Sequence, residues 1–300
     1  MKTHMSCRRI LLSLSLCALA ATTFAAPVPQ QGPFATASGN FTVGGLVGGG
    51  SQQAMIYYPV QHDAQNLSLA PSFNVVSFGH GATSGGEKLD PAYHPLLTTL
   101  ASYGLVVIAP MSCPDGFCPV QLADDLGSVL TTCDAKRGLH PGLKNANFSR
   151  TGVAGHSMGG TAAGYMAAAN STSRHLVHAY VGLHGTPISK ERGLNMPTMY
   201  TTGGNDVIVL PEVVRASFSA STNAHPCVFA QLSDATHFEP TNPLPGHFRL
   251  NPYVAQFFLC HLSGQQEACT HIYNAKDESS LCNAYKSKFE KPKGNCEIHQ

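Results

Sequence analysis

Short apolar runs alternate with helical periodicity along most of the chain. The segments AMIYYP (54–59), FNVVSF (73–78), LVVIAP (105–110), TGVAG (151–155), AYVGL (179–183), TMYTT (198–202) and CVFAQL (227–232) are strand candidates. Several lack polar alternation, which is the pattern of strands covered on both faces of a parallel sheet. The intervening residues carry helical spacing over 91–103, 119–133, 158–170, 210–220 and 252–262. This alternation predicts an α/β chain with a doubly wound, mostly parallel sheet, helices on both faces and a functional site at the carboxyl ends of the strands.

The flanks read differently. Residues 26–50 are rich in Pro, Gly, Ser and Gln and predict an irregular lead-in before a main domain over 51–262. Beyond about His261 the apolar runs stop, polar residues rise and three cysteines appear, so 263–300 reads as a Cys-containing extension held by disulfides rather than by a core. Residues 1–25 fit a secretory signal peptide. Lys2, Arg8 and Arg9 give a positive start, Ile10 to Ala21 an apolar stretch too short to span a bilayer, and Thr23-Phe24-Ala25 a small-x-small cleavage site. A lipid anchor on Cys17 fits poorly because Leu16 is too large for the small-residue position before it. A secreted, extracellular protein without integral membrane association follows, and a monomer is expected.

Charge and cysteine content narrow the class. Only 12% of residues are charged and the formal balance is +1, falling to −2 without Lys2, Arg8 and Arg9, so no basic surface points to nucleic acid. Hydrophobic residues make up 43%, enough for a sizeable core. Eight cysteines remain past residue 25: Cys113, Cys118, Cys133, Cys227, Cys260, Cys269, Cys282 and Cys296. In an exported chain that even number reads as four disulfides, with Cys113–Cys118 and Cys269–Cys282 the favoured pairs. No CxxC occurs and the Cys and His residues are scattered, which argues against zinc. Asn40, Asn66, Asn147 and Asn170 lie in glycosylation sequons.

The chemistry concentrates after TGVAG, where Gly155-His156-Ser157-Met158-Gly159-Gly160 leads into the small-residue helical pattern TAAGYMAAA. This is a G-x-S-x-G nucleophile elbow in strand-turn-helix context, with glycines where the turn leaves no room for side chains. Phosphate-loop alternatives fail, since neither GxxxxGK[ST] nor GxGxxG is present. A serine nucleophile needs a base oriented by a carboxylate, in the chain order Ser, acid, His. Asp206, after TMYTTGGN, and His237, in LSDATHFEP, each follow a predicted strand and satisfy that order. Asp234 is a competing acid and His247 a competing base, whereas His80 precedes the serine. Asp124 and Asp125 read as a solvated helix face. The oxyanion hole takes the amides of Met158 and of His80 or an immediate neighbour in the loop SFGHGAT, and Phe78, His184 and Phe238 are expected to line the substrate pocket.

In these motifs the chain resembles the secreted α/β-hydrolases of the polyester-degrading cutinase group and, more distantly, chlorophyllases and platelet-activating-factor acetylhydrolase-like enzymes. The similarity runs through GPF (32–34), IYYP (56–59), SFGHG (77–81), LASYGLVVIAP (100–110), GHSMGG (155–160), PTMYTTGGND (197–206), ATHFEP (235–240) and FFLC (257–260). It implies an α/β-hydrolase fold and a serine esterase without cofactor or metal, acting on a small-molecule, lipid or polymeric ester. Ser157 would be nucleophile, Asp206 acid, His237 base, and the Met158 and His80 amides the oxyanion donors. The chain departs from that group at His80, where an aromatic is usual, and at His184-Gly185-Thr186, where a tryptophan is usual; it contains no tryptophan at all. A non-catalytic secreted glycoprotein that keeps the fold for binding is the reading from outside enzymology.

Overall fold

The computed structural model describes residues 28–60, 72–169, 176–241, 249–284 and 295–299. The predicted signal peptide, Asn66, Asn170 and His247 lie outside these described residues. Nine strands form one sheet: β1 (Ala35–Thr42), β2 (Gln53–Val60), β3 (Phe73–Gly79), β4 (Val106–Pro110), β5 (Ala146–His156), β6 (Val177–Leu183), β7 (Thr198–Gly203), β8 (Cys227–Leu232) and β9 (Asn295–His299). Their order is β1-β2-β4-β3-β5-β6-β7-β8-β9. The six strands from β4 to β8 run parallel, while β1, β2 and β9 are antiparallel to their neighbours. Every residue of β3, β4, β7 and β8 is buried, which explains why these strands lack a regular polar alternation.

Helices α1 (Leu89–Ser102), α2 (Pro119–Ala135), α3 (Met158–Ala168), α4 (Pro211–Ala220) and α5 (Asn251–Ser263) fall within a few residues of the predicted spans. Helices α1 and α5 bury Leu96, Leu97, Tyr253 and Phe257 in the core on one side of the sheet. On the other side, α2, α3 and α4 contribute Leu126, Val129, Ala162 and Phe218 to a second core. From β3 the chain crosses to β4 on one side and then returns to β5 on the other, so the order reverses between β3 and β5. Crevices for ligands open outside the carboxyl ends of strands at such a switch point.

Both flanks are more ordered than the sequence indicates. Strand β1 occupies the lead-in, and its residues are exposed or half-buried except for the buried Phe41, as in an edge strand that keeps one face toward solvent. The extension is not held by disulfides alone. Helix α6 (Gln266–Tyr273) inserts Ala268 and Ile272 into the core, and β9 completes the sheet beside β8. A single short helical turn, α7 (Leu281–Ala284), lies between them in sequence.

The disulfides are Cys113–Cys118, Cys260–Cys269 and Cys282–Cys296. The expected Cys269–Cys282 pair is therefore wrong, because α6 folds back on α5 and brings Cys269 to Cys260. Cys133 and Cys227 are free and buried, so there are three bridges among these cysteines rather than four. Both thiols sit in the core under α2 and α4. Burial pushes each up to about 12.

Asp125 also departs from expectation. It is fully buried and accepts hydrogen bonds from the amides of Val47 (2.6 Å) and Gly48 (2.9 Å) and from Ser112 Oγ (2.5 Å). Helical spacing turns it inward, whereas the adjacent Asp124 is exposed. Three donors fitted to one carboxylate make its burial tolerable. Among the described residues no helix is long and apolar enough to cross a membrane.

Candidate active site

Strand β5 ends at His156, Ser157 turns the chain at φ 54° and ψ −121°, and α3 starts at Met158. A positive φ on a serine is a strained conformation, of the order of 1–3 kcal/mol, held here by its surroundings. The Ser157 amide donates to Leu183 O at 2.8 Å and its carbonyl accepts from the Thr161 amide at 3.1 Å. The flanking glycines are required by contact: a Cβ on Gly155 would collide with the Gly159 carbonyl, and one on Gly159 with the Gly79 carbonyl. The elbow is thereby pressed against the loop that follows β3. Ser157 keeps partial exposure while its neighbours His156 and Met158 are buried.

Met158 begins α3, so its N–H belongs to the first turn and has no acceptor within the helix. His80, the other expected oxyanion donor, follows the last residue of β3. Its ring is buried with Nδ1 2.8 Å from Gly81 O and Nε2 2.7 Å from Ser112 O. Burial lowers its pKa, against the pull of the two carbonyls. The Gly81 amide donates to Tyr93 Oη at 2.7 Å, which removes that immediate neighbour of His80 from the candidate oxyanion donors.

Asp206 lies just past β7. Its Oδ1 accepts from the amides of Ile208 (2.9 Å) and Val209 (2.8 Å), and its Oδ2 takes His237 Nδ1 at 2.8 Å. The same Oδ2 takes His184 Nδ1 at 2.9 Å. Burial would raise this carboxyl, but the bonds from the two imidazoles outweigh it and hold the acid below its ordinary range. His237 follows β8, and with Nδ1 bound to the carboxylate its Nε2 is the nitrogen left for a nucleophile.

His156 ties these loops together. Its Nε2 lies 2.9 Å from the carbonyl of His237, so Nε2 carries the proton and Nδ1 accepts from Tyr93 Oη, also at 2.9 Å. A continuous path thus runs from the Gly81 amide through Tyr93 and His156 to the His237 backbone. Burial, reinforced by His237 and His184, drives His156 well below the usual histidine value, which keeps it in this neutral tautomer. Strand alternation could have flagged His156, because the residue before an exposed nucleophile points to the other face. Tyr93, on α1, has no sequence signal that would bring it here.

The rival acid is committed elsewhere: Asp234 pairs with Arg249 at 2.8 Å, and Arg249 also binds Glu239. Two expected pocket residues are placed differently. Phe78 is fully buried and packs on Tyr93 with ring centroids 5.0 Å apart, so it belongs to the core. His184 is fully buried against Asp206 and does not line an open pocket. Phe238 alone of the three is accessible, half-exposed with its ring edge-on to His237. The residues after the acid, Val207 (85% exposed), Ile208 and Leu210, are also exposed apolar side chains.

The ligand atoms of His184, Asp206 and His237 lie within 4.8 Å of one another. Both nearest imidazole nitrogens are donors to the carboxylate, so the cluster is built as a proton network rather than a cation cage. No protein-family model matches the chain, and a search of the curated proteins finds no match.

Proposed function

We propose that the chain is an α/β-hydrolase-fold serine esterase that cleaves carboxylic esters through an acyl-enzyme. The observation that carries this reading is a serine at a strained strand-to-helix turn, with a buried Asp206–His237 pair fastened to the same turn by the His156–His237 bond. In the first half-reaction His237 Nε2 takes the Ser157 proton as Oγ attacks the acyl carbonyl, and the protonated ring then gives that proton to the leaving alkoxide. Asp206 fixes the Nδ1–H tautomer and stabilises the imidazolium. The amides of Met158 and His80 hold the oxyanion, and the start of α3 adds the positive end of its dipole. Water, activated by His237, releases the acid in the second half-reaction.

Val207, Ile208, Leu210 and Phe238 beside the acid and base support an apolar acyl or alkyl group, as in cutinase-like, lipase-like and esterase-like enzymes. A chlorophyllase-like or acetylhydrolase-like ester is the alternative within the same chemistry. Three disulfides support an extracellular setting, together with the signal-like residues 1–25.

Hydrolysis of p-nitrophenyl esters of rising acyl length tests the proposal, with Ser157→Ala as the paired variant. Loss of the nucleophile is expected to lower kcat by about 10⁴-fold or more. A folded wild-type protein that leaves every ester intact would refute it.

A further inference from the structure

His184 follows the last residue of β6 in a left-handed conformation, φ 53°, with its amide fixed to Thr201 O at 2.9 Å. Its side chain is fully buried and shares Asp206 Oδ2 with His237. Its Nε2 is enclosed and has no hydrogen-bond partner among the described residues. Protonation there would create a buried N–H with no acceptor, so His184 stays neutral, donating through Nδ1.

We propose that His184 is a positioning residue that acts through Asp206 to set the pH at which His237 becomes competent as a base. The inference rests on the esterase reading and deepens it. The protonated form of His237 is the form that gains most from a negative oxygen at Nδ1. An oxygen that also accepts from His184 offers less of its charge to that bond, so Oδ2 stabilises the His237 imidazolium less than an unshared oxygen would. Burial lowers the His184 pKa, which agrees with a permanently neutral donor.

The other groups around the pair do not compete for Oδ2. His237 faces His156, which binds its carbonyl, and the uncharged ring of Phe238. Glu239, which follows Phe238, is paired with Arg249, as is Asp234. His184 faces Asp206, His237 and His156, its ring centroid lying 5.7 Å and 6.0 Å from those of the two histidines, and Glu239 acts on it electrostatically.

The test compares the acid limb of kcat/KM for p-nitrophenyl acetate in wild type, His184→Phe, His184→Ala and His184→Asn. The amide nitrogen of Asn can take the place of Nδ1, and Asn accepts a positive φ. Loss of the donor in the Phe and Ala variants is expected to move the limb up by roughly one pH unit, while Asn keeps the wild-type limb. An unmoved limb in either donorless variant overturns the proposal, as does an equal shift in Asn. Independently of any variant, the wild-type proton NMR spectrum should contain a low-field Nδ1–H resonance assigned to His184 beside that of His237. Absence of the His184 resonance overturns the proposal. If wild type turns over no ester, the esterase reading fails instead, and the His237 titration followed by NMR in wild type and variants still decides the role of His184.

Discussion

Replacing Asp125 by alanine while replacing its neighbour Asp124 in a parallel variant separates a buried anchor from a solvated charge on one helix. Asp125 holds three donors, the amides of Val47 and Gly48 and the hydroxyl of Ser112, and is itself fully enclosed. Removing the carboxylate leaves the buried Ser112 hydroxyl without a partner, at about 1–3 kcal/mol, and takes from the more exposed Val47 and Gly48 amides charge-assisted bonds of about 1.5–3 kcal/mol each. Partial relaxation and water entry reduce the sum, so the expected loss is roughly 3–6 kcal/mol. At about 2 °C per kcal/mol, the lower end of the range for large domains, Tm falls by some 6–12 °C. Asp124→Ala, at an exposed position, should stay within about 0.5 kcal/mol of wild type. Calorimetry or urea titration with the disulfides intact measures the difference. If Asp125→Ala melts within about 2 °C of Asp124→Ala, the carboxylate is not the anchor of the 43–50 loop.

Two further outcomes follow from the buried groups. Cys133 and Cys227 should resist alkylation in the folded protein and react once it is denatured, because enclosure and a thiol pushed up to about 12 leave almost no thiolate. Mass spectrometry of the alkylated protein checks this, and rapid native labelling of either residue would contradict the packing. Acid should destabilise the fold from the ordinary histidine range downward. His80, His156, His184 and His261 all have lowered values in the folded state, so between those values and about 6.5 the unfolded chain binds more protons and stability falls as pH falls. Asp206, lowered from 3.8, adds a loss of the same sign at lower pH. The slope of unfolding free energy against pH between 6 and 4 should correspond to more than one proton; a flat profile would contradict the buried neutral histidines.

The local pattern of the chain was enough to place the seven strands from β2 to β8 and the five helices α1 to α5, because strands buried on both faces need apolar-rich runs without polar alternation and most of these runs are followed by a helical one. The G-x-S-x-G motif and the order Ser, acid, His singled out Ser157, Asp206 and His237, and the structure puts each of them just past the end of a strand. Strands β1 and β9 escaped it for a physical reason: an edge strand draws half of its environment from solvent, so its residues need not be apolar. Disulfide partners were equally out of reach, since spacing says nothing of how α6 folds back on α5 to join Cys269 to Cys260.

Only the tertiary structure decided what surrounds Ser157, Asp206 and His237. Tyr93 lies 63 residues before His156 and 12 after Gly81, yet one hydroxyl joins both, because the Tyr93 side chain reaches from α1 to the ends of β3 and β5. His184 read as a pocket residue in one dimension, but its backbone, bonded to β7, turns the ring onto Asp206. The apolar pattern of a chain dictates which segments become strands and helices, since burial depends on each residue's own chemistry. Which polar groups meet between those segments depends on how distant elements pack, and that information lies in no single stretch of sequence.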